Sequence, residues 1–224
     1  MSIERIETGI SGLDELLKGG IPEKNIVLVS GESGAGKTTF CSQFLWKGLQ
    51  EGENCMFISF EEPPSQIKEE AKLFGWDFES YSNQITLKSK DPFDEGSEDL
   101  FWFRDELQRK EIDRLAIDST SILSLYHEDP YEVRKAIYEI IKVIKETGTT
   151  AVLTAESPTG EKSLTRHDVV QYAVDGVIAL YFEGIGEKGY RSLQVRKMRK
   201  SDISTETVSF EITDQGIELG QSIV

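Results

Sequence analysis

Short apolar runs alternate with helix-spaced apolar positions through most of this chain. Continuously apolar runs are typical of strands buried on both faces of a parallel sheet, and they occupy residues 25–30, 55–60, 114–118 and 150–155. Apolar side chains at helical spacing predict helices at residues 38–50, 65–75, 99–110 and 133–144. The alternation predicts an α/β fold with a mostly parallel, twisted sheet flanked by helices.

The last third of the chain has a different pattern. Residues 177–182, 192–198 and 207–212 favour strands, and no helix-spaced segment separates them. We therefore expect antiparallel strands that extend one side of the sheet. Residues 184–189 match the G-x-G-x-x-G dinucleotide fingerprint, but a strand pattern follows where that site needs a helix. We interpret this segment as a hairpin loop.

Composition predicts one domain over residues 1–224, because no linker-like tract divides the 224 residues. Neither a signal peptide nor a membrane-spanning run is recognisable, and no membrane association is expected. Cys41 and Cys55 are not clustered. We interpret them as reduced core thiols of a cytoplasmic protein. His127 and His167 lack metal-ligand spacing and are interpreted as surface residues.

The chain is strongly acidic, with a formal net charge of −15. A protein that binds DNA through its general surface field should be basic, because the phosphate backbone is negative. Nucleic acid is therefore a disfavoured partner, although a local basic patch stays open.

The most specific motif joins the first apolar strand to the first helix. It fits the phosphate-binding pattern G-x-x-x-x-G-K-S/T, and its residues are Gly31, Glu32, Ser33, Gly34, Ala35, Gly36, Lys37, Thr38 and Thr39. The glycines let several backbone N–H groups converge on one phosphate, and the following helix adds its positive dipole end. Lys37 is predicted to reach the β- and γ-phosphates, and Thr38 to ligate Mg²⁺. The motif predicts binding of a nucleoside triphosphate.

Phosphoryl transfer also needs a second metal-side acid and a group that positions the nucleophile. Asp118 ends an apolar strand, which favours the metal role over a simple helix N-cap. A base is expected at the end of a strand beside the P-loop strand. Glu61 and Glu62 end the next strand in sequence. From position alone, a base and a solvated turn are equally supported for this pair.

Several segments together resemble the KaiC-type ATPases of the RecA-like class. They are residues 8–17 and 19–22 before the P-loop, the P-loop itself, residues 60–64 (Phe-Glu-Glu-Pro-Pro), residues 74–77 (Phe-Gly-Trp-Asp) and residues 210–217. The resemblance covers nearly the whole chain. It implies a single KaiC-like domain, of the kind abundant in archaea, with a RecA-like P-loop core. In that family the glutamate pair contains the catalytic base, which favours this role for Glu61 or Glu62.

The resemblance also implies a contribution from a neighbouring subunit. Lys197 and Arg199 match the family's Lys-x-Arg pattern, whose side chains reach the neighbour's γ-phosphate in relatives. Ser201 falls where relatives often place a hydroxyl near the same nucleotide, and Lys200 stands where they usually have glycine. We expect the basic pair on an edge strand, where cations that protect the edge are the alternative.

Two departures limit the resemblance. The circadian-clock member has two such domains in tandem, whereas this chain has one. Its autokinase domain carries a Ser-Thr pair where alignment on Asp175 places Gln171 and Tyr172 here. We therefore do not expect autokinase activity, and we interpret Tyr172 as a packed helix aromatic.

The sequence thus predicts a slow, Mg²⁺-dependent ATPase that assembles as a homo-oligomeric ring, a hexamer, with composite sites. ATP rather than GTP follows from the resemblance and from the missing N-K-x-D motif. One alternative is an accessory ATPase of DNA recombination and repair that uses the polar residues 157–166, including Lys162 and Arg166. The other is an ATP-gated signalling scaffold that binds a partner protein.

Overall fold

The computed structural model describes residues 3–89, 98–126, 129–157, 170–185 and 188–223. The strands are β1 (Arg5–Ile6), β2 (Ile21–Pro22), β3 (Ile26–Gly31), β4 (Cys55–Ser59), β5 (Ile85–Ser89), β6 (Arg114–Asp118), β7 (Thr150–Glu156), β8 (Gly176–Ile185), β9 (Lys188–Met198), β10 (Thr207–Thr213) and β11 (Gly216–Ser222). The helices are α1 (Leu13–Leu16), α2 (Lys37–Gln50), α3 (Pro64–Leu73), α4 (Glu98–Arg109), α5 (Leu123–Tyr126), α6 (Pro130–Thr147) and α7 (Val170–Ala173).

One large sheet organises the fold. Its strand order is β11-β10-β9-β8-β3-β7-β6-β4-β5, and β1 pairs with β2 separately. The strands from β8 to β5 are parallel. The strands β9, β10 and β11 continue the sheet beyond β8 in antiparallel fashion. The predicted α/β fold with antiparallel C-terminal strands is therefore confirmed.

The apolar core lies on both faces of this sheet. Along β3, Val27 and Val29 pack with α2 on one face, and Ile26 and Leu28 pack with α4 and α6 on the other. A strand covered on both faces has no polar side, which is why its sequence is continuously apolar. The apolar stripe of α6 is buried as predicted, at Val133, Ala136, Ile137, Ile140, Ile141 and Ile144.

A buried arginine connects the elements around α2. Arg114 begins β6, is 1% exposed and forms an ion pair with Glu53. Its Nη1 also donates to the carbonyl oxygens of Glu7 at 2.6 Å and Phe44 at 3.1 Å. A charge removed from water is tolerated only when its hydrogen bonds are satisfied. These contacts fix the N-terminal segment and α2 against the sheet.

The antiparallel extension supports the P-loop helix. The Gln43 amide of α2 donates to Gly9 O at 2.9 Å, and its oxygen accepts from Ile217 N at 2.7 Å. Gly36 has a φ of +100°, and a side chain there would meet Ile212 at 3.0 Å. The hairpin of β10 and β11 thus holds α2 while requiring glycine where the P-loop meets it.

Candidate functional site

The P-loop leads from the carboxyl end of β3 into the amino end of α2. Gly34 and Gly36 adopt positive φ values of +78° and +100°, which L-residues rarely adopt. Among the described residues, no side chain caps the amino end of α2. The Lys37 Nζ donates to Gly31 O and Glu32 O, both at 2.9 Å. The loop therefore has the backbone shape and the open helix end of a phosphate cradle.

The two candidate metal ligands lie together at this end of the sheet. Thr38 Oγ1 donates to Asp118 Oδ2 at 2.6 Å. The other carboxylate oxygen of Asp118 accepts a hydrogen bond from Thr154 Oγ1 on β7. Asp118 is therefore oriented by hydroxyl groups of two different elements, and it meets the P-loop helix at its first turn.

Mg²⁺ prefers oxygen ligands and in phosphate sites is held by one or two protein groups plus phosphate oxygens. The Thr38 hydroxyl and the Asp118 carboxylate are two such oxygens in mutual contact. Among the described residues, no group of three or more His, Cys, Asp or Glu side chains could hold a metal alone. The donor set therefore fits a magnesium ion bound together with a nucleotide.

The glutamate pair lies near Asp118 but not beside the P-loop strand. In the sheet, β7 and β6 separate β4 from β3, so the expected position next to the P-loop strand was wrong. Instead, Ser59 at the end of β4 pairs with Asp118, and Phe60 N donates to Asp118 O at 2.8 Å. Glu61 and Glu62 follow directly, so they lie next to the candidate metal ligand.

The two glutamates differ in their surroundings. Glu61 is exposed, whereas Glu62 is half-buried. The Glu62 Oε2 atom is fully buried and has no hydrogen-bond partner among the described residues. Burial raises the pKa of Glu62, and the negative charges of Glu70, Asp118 and Glu61 raise it further. A carboxylate with an unpartnered oxygen and a raised pKa has the properties of a proton acceptor, so the environment distinguishes Glu62 from Glu61.

Two residues near the P-loop were not singled out from the sequence. Glu156 ends β7, the strand that does lie beside β3, and pairs in register with Gly31. Arg191 on β9 donates to Gly34 O at 3.2 Å, and its guanidinium lies 4.5 Å from the Phe182 ring centroid. An acid that ends an apolar strand was a usable signal for Glu156. Arg191 had none, because only the sheet register brings it to the P-loop.

Lys197 and Arg199 lie at the end of the strands opposite to the P-loop of the same chain. Met198 pairs with Gly176, and Arg199 N donates to Asp175 O at 2.9 Å. Asp175 N in turn donates to Ile26 O at the start of β3. The P-loop begins five residues later, about 17 Å along the strand at about 3.3 Å per residue. The basic pair is therefore far from its own phosphate cradle.

The expected edge strand was wrong, because β9 lies between β8 and β10. The last residue of β9 that pairs with β10 is Gln194, so the strand end that carries Lys197 is paired on one side only. Lys197 Nζ donates to Val174 O at 2.6 Å and to Gln171 O at 3.3 Å. Burial lowers the pKa of Lys197, and so does the nearby charge of Arg199.

Ser201 follows the same end of β9 and lies close to the N-terminal segment. Its hydroxyl accepts from Arg5 Nη1 at 2.8 Å, and Lys200 O accepts from Arg5 Nη2 at 3.0 Å. Lys200 has a φ of +63°. This left-handed conformation is the one that glycine adopts most readily, so it gives a physical reason for the glycine that the family resemblance implies at this position.

Other sequence interpretations have mixed outcomes. Cys41 and Cys55 are buried free thiols, as expected. Tyr172 is 72% exposed, so its interpretation as a packed aromatic was wrong. The antiparallel pairing of β8 with β9 reaches Ile185 and Lys188, as a hairpin requires, although residues 186–187 lie outside the described residues. Four other residues with a sequence interpretation also lie outside the described residues: His127, His167, Lys162 and Arg166.

Within the parts of the chain that the structure describes, no helix has the length and apolar character needed to cross a membrane.

Comparison with known proteins gives consistent matches over the whole chain. The family model described as "ATPase: KaiC" matches residues 6–223. A UPF0273 protein of Methanopyrus kandleri is 36% identical over 237 residues, which cover 98% of this chain and 93% of that protein. The circadian clock protein KaiC3 of Synechocystis is 31% identical over 225 residues, 95% of this chain and 45% of its own length.

Among solved structures, a KaiC-like protein from the archaeon Pyrococcus horikoshii matches with a TM-score of 0.89. It is 33% identical, and the match covers 98% of this chain and 100% of that chain.

Proposed function

This chain belongs to the KaiC ATPase family, and we propose that it hydrolyses ATP slowly in a homo-oligomeric ring, a hexamer, whose active sites are composite. The observation that carries the proposal is the hydrogen bond between Thr38 and Asp118 beneath an uncapped phosphate cradle. It brings the nucleotide side and the metal side of a phosphoryl-transfer site into contact.

Each residue of this site receives a role from its position. Residues 31–39 bind the phosphates, and Lys37 exchanges its two P-loop carbonyl partners for phosphate oxygens. Thr38 and Asp118 hold Mg²⁺, which neutralises charge on the phosphate oxygens when it is bound. Arg191 adds a cation on the P-loop side of the same chain. Glu62 accepts the proton of the attacking water, and Glu61 is the exposed neighbour.

The second half of the composite site comes from the adjacent subunit. Lys197 and Arg199 lie at the other end of the strands, about 17 Å from their own P-loop. Ser201 follows them and contacts Arg5 of the N-terminal segment, so we assign none of the three to their own P-loop. In a head-to-tail ring, each subunit presents a different surface to each neighbour. The end of β9, with Lys197 and Arg199, then faces the P-loop of the next subunit. Cations supplied in this way stabilise the charge that develops on the transferred phosphoryl group.

Further features complete the proposal. A single domain spans the chain, and the protein is not an autokinase, because Gln171 and Tyr172 replace the Ser-Thr pair. The buried free thiols of Cys41 and Cys55 are typical of a reducing compartment, which supports a cytoplasmic location. ATP and Mg²⁺ are the cofactors, and a second copy of the chain is the partner.

Complementation in mixed oligomers tests the composite site. Two variant chains are used: one carries Arg199→Ala, and the other carries both Glu61→Gln and Glu62→Gln. We expect each variant to be nearly inactive by itself. Mixed oligomers of the two chains should recover ATP turnover, because some interfaces then combine intact glutamates with an intact arginine. Mixed assembly is verified by native mass measurement. No recovery in verified mixed oligomers would contradict the proposal.

A further inference from the structure

Asp175 is a nearly buried carboxylate among the cations Lys145, Lys197 and Arg199, and it has no role in the P-loop or the glutamate pair described above. It is 7% exposed. Its Oδ1 accepts from Arg199 Nη1 at 3.3 Å and from Lys145 Nζ at 3.4 Å. Lys197 lies in the same cluster, because its ammonium is held by Val174 O, one residue before Asp175.

The cluster carries a surplus of positive charge. Two cations, Lys145 and Arg199, contact this carboxylate, and a third, Lys197, is held by the adjacent Val174 carbonyl, in a chain whose formal net charge is −15. Arg199 donates to Asp175 through a single nitrogen, and its side chain is 54% exposed. A guanidinium has five N–H donors in a planar fork, so one nitrogen can hold a carboxylate while the others bind a second anion.

Asp175 itself is fixed in place. Its Oδ2 accepts from Ile26 N at 3.1 Å, and its N–H donates to Ile26 O at 2.8 Å. Its carbonyl accepts from Arg199 N at 2.9 Å. A side chain held to a buried strand residue offers a rigid support for a long, flexible arginine, whose ordering would otherwise cost conformational entropy.

We infer that Asp175 is a positioning residue that aims the Arg199 guanidinium out of its own subunit, towards the γ-phosphate bound by the next subunit. Lys145 shares the carboxylate and completes the positive cluster. The inference rests on the proposed function, and it adds residues that lie outside the Lys-x-Arg pattern. Lost alignment of a catalytic group by about 1 Å can cost about 10²-fold in rate.

A merely structural role for Asp175 makes a different prediction. Because Asp175 also holds Ile26, its loss could disturb β3 and thereby the P-loop of its own subunit. The two roles therefore damage different subunits at one interface: the structural role damages the subunit that binds ATP, and the positioning role damages the subunit that donates Arg199.

The complementation mixture separates these subunits. The arginine donor is the chain with Glu61→Gln and Glu62→Gln, and the acceptor is the Arg199→Ala chain, whose glutamates are intact. Asp175→Asn is introduced into the donor in one mixture and into the acceptor in another. The asparagine oxygen can still accept from Ile26 N, while the charge that holds Arg199 is removed.

We expect Asp175→Asn in the donor to reduce the recovered turnover at least about tenfold, and the same change in the acceptor to leave it within about twofold. Equal loss in both mixtures, loss confined to the acceptor, or no loss in either would overturn the inference. If the reference mixture without Asp175→Asn shows no recovery, the proposed function fails first, and the inference fails with it.

A second donor variant covers the case in which Asp175→Asn prevents folding, as judged by thermal unfolding. Arg199→Lys keeps the positive charge but has one nitrogen, which cannot hold Asp175 and project a planar fork at the same time. We expect this donor to recover no more than about a tenth of the reference turnover. Full recovery would show that charge alone is sufficient and would overturn the positioning role.

Discussion

Thr38 Oγ1 and Asp118 Oδ2 are 2.6 Å apart, although 80 positions separate these residues in the sequence. The contact exists because β7 and α2 together bring the end of β6 to the first turn of the P-loop helix. Thr154 of β7 holds the other oxygen of the same carboxylate. The phosphate cradle and the candidate metal ligands therefore form one connected unit.

Asp118→Asn should remove the advantage of Mg²⁺ in nucleotide binding. The amide keeps the shape of the side chain but loses the charge that attracts the cation. Calorimetric titration with a non-hydrolysable ATP analogue, with and without Mg²⁺, measures this difference. Asp113→Asn is the matched control, because Asp113 is exposed just before the other end of β6. An unchanged Mg²⁺ effect in Asp118→Asn would contradict the metal assignment.

Glu62→Gln should reduce ATP turnover by about 10²-fold or more, the usual scale of a lost general base. Nucleotide affinity should change little, since the amide has nearly the same volume. Glu61→Gln is the control at the adjacent position, and we expect a smaller loss because Glu61 is exposed. Steady-state phosphate release decides between them. If Glu61→Gln reduces ATP turnover and Glu62→Gln does not, the base has been assigned to the wrong residue.

The rate of ATP turnover should fall as the pH is lowered. The fall should occur at a higher pH than for a base that is an ordinary, solvated glutamate. Glu62 acts as a base only when ionised, and burial together with the charges of Glu70 and Glu61 raises its pKa. Removing one negative charge should lower that pKa. We therefore expect Glu70→Gln to shift the acid limb of the pH–rate profile to lower pH, with the plateau rate unchanged. A limb that does not move would separate Glu62 from this titration.

Arg114→Ala should destabilise the fold by about 3–5 kcal/mol, the typical cost of breaking an ion pair by removing a buried charged partner. Arg114 is 1% exposed and holds Glu53 and two backbone carbonyl groups. Arg104→Ala is the control: this arginine also pairs with a glutamate, Glu146, but the two side chains are 40% and 38% exposed. Exposed pairs contribute about 0–1 kcal/mol. Urea unfolding of both variants measures the difference, and equal destabilisation would contradict this account.

The fold could be predicted from the sequence where burial leaves a strong pattern. The runs that became β3, β4, β6 and β7 are covered on both faces, so the residues in the middle of each strand are apolar. The edge strand β5 was missed because most of its residues are only partly buried. Apolar patterning also says nothing about which strands are neighbours, and this is why β4 was wrongly expected beside β3.

The candidate site divides in the same way. The P-loop could be found because its residues are contiguous and the phosphate demands glycine, lysine and a hydroxyl at fixed spacing. Arg191 reaches Gly34 across 157 positions of sequence, and Asp175 meets Arg199 across 24. Such contacts depend on sheet register, which no local pattern encodes. The different environments of Glu61 and Glu62 likewise depend on tertiary packing.

The composite active site is tested most directly by measuring assembly and turnover on the same samples. Native mass is recorded with ATP, with ADP and without nucleotide, while specific ATPase activity is followed over a range of protein concentrations. We predict that ATP favours a ring and that activity per chain rises through the concentration range in which the ring forms. Full activity in a verified monomer would contradict the account, because the Arg199 of a single chain lies at the end of the strands opposite to its own P-loop.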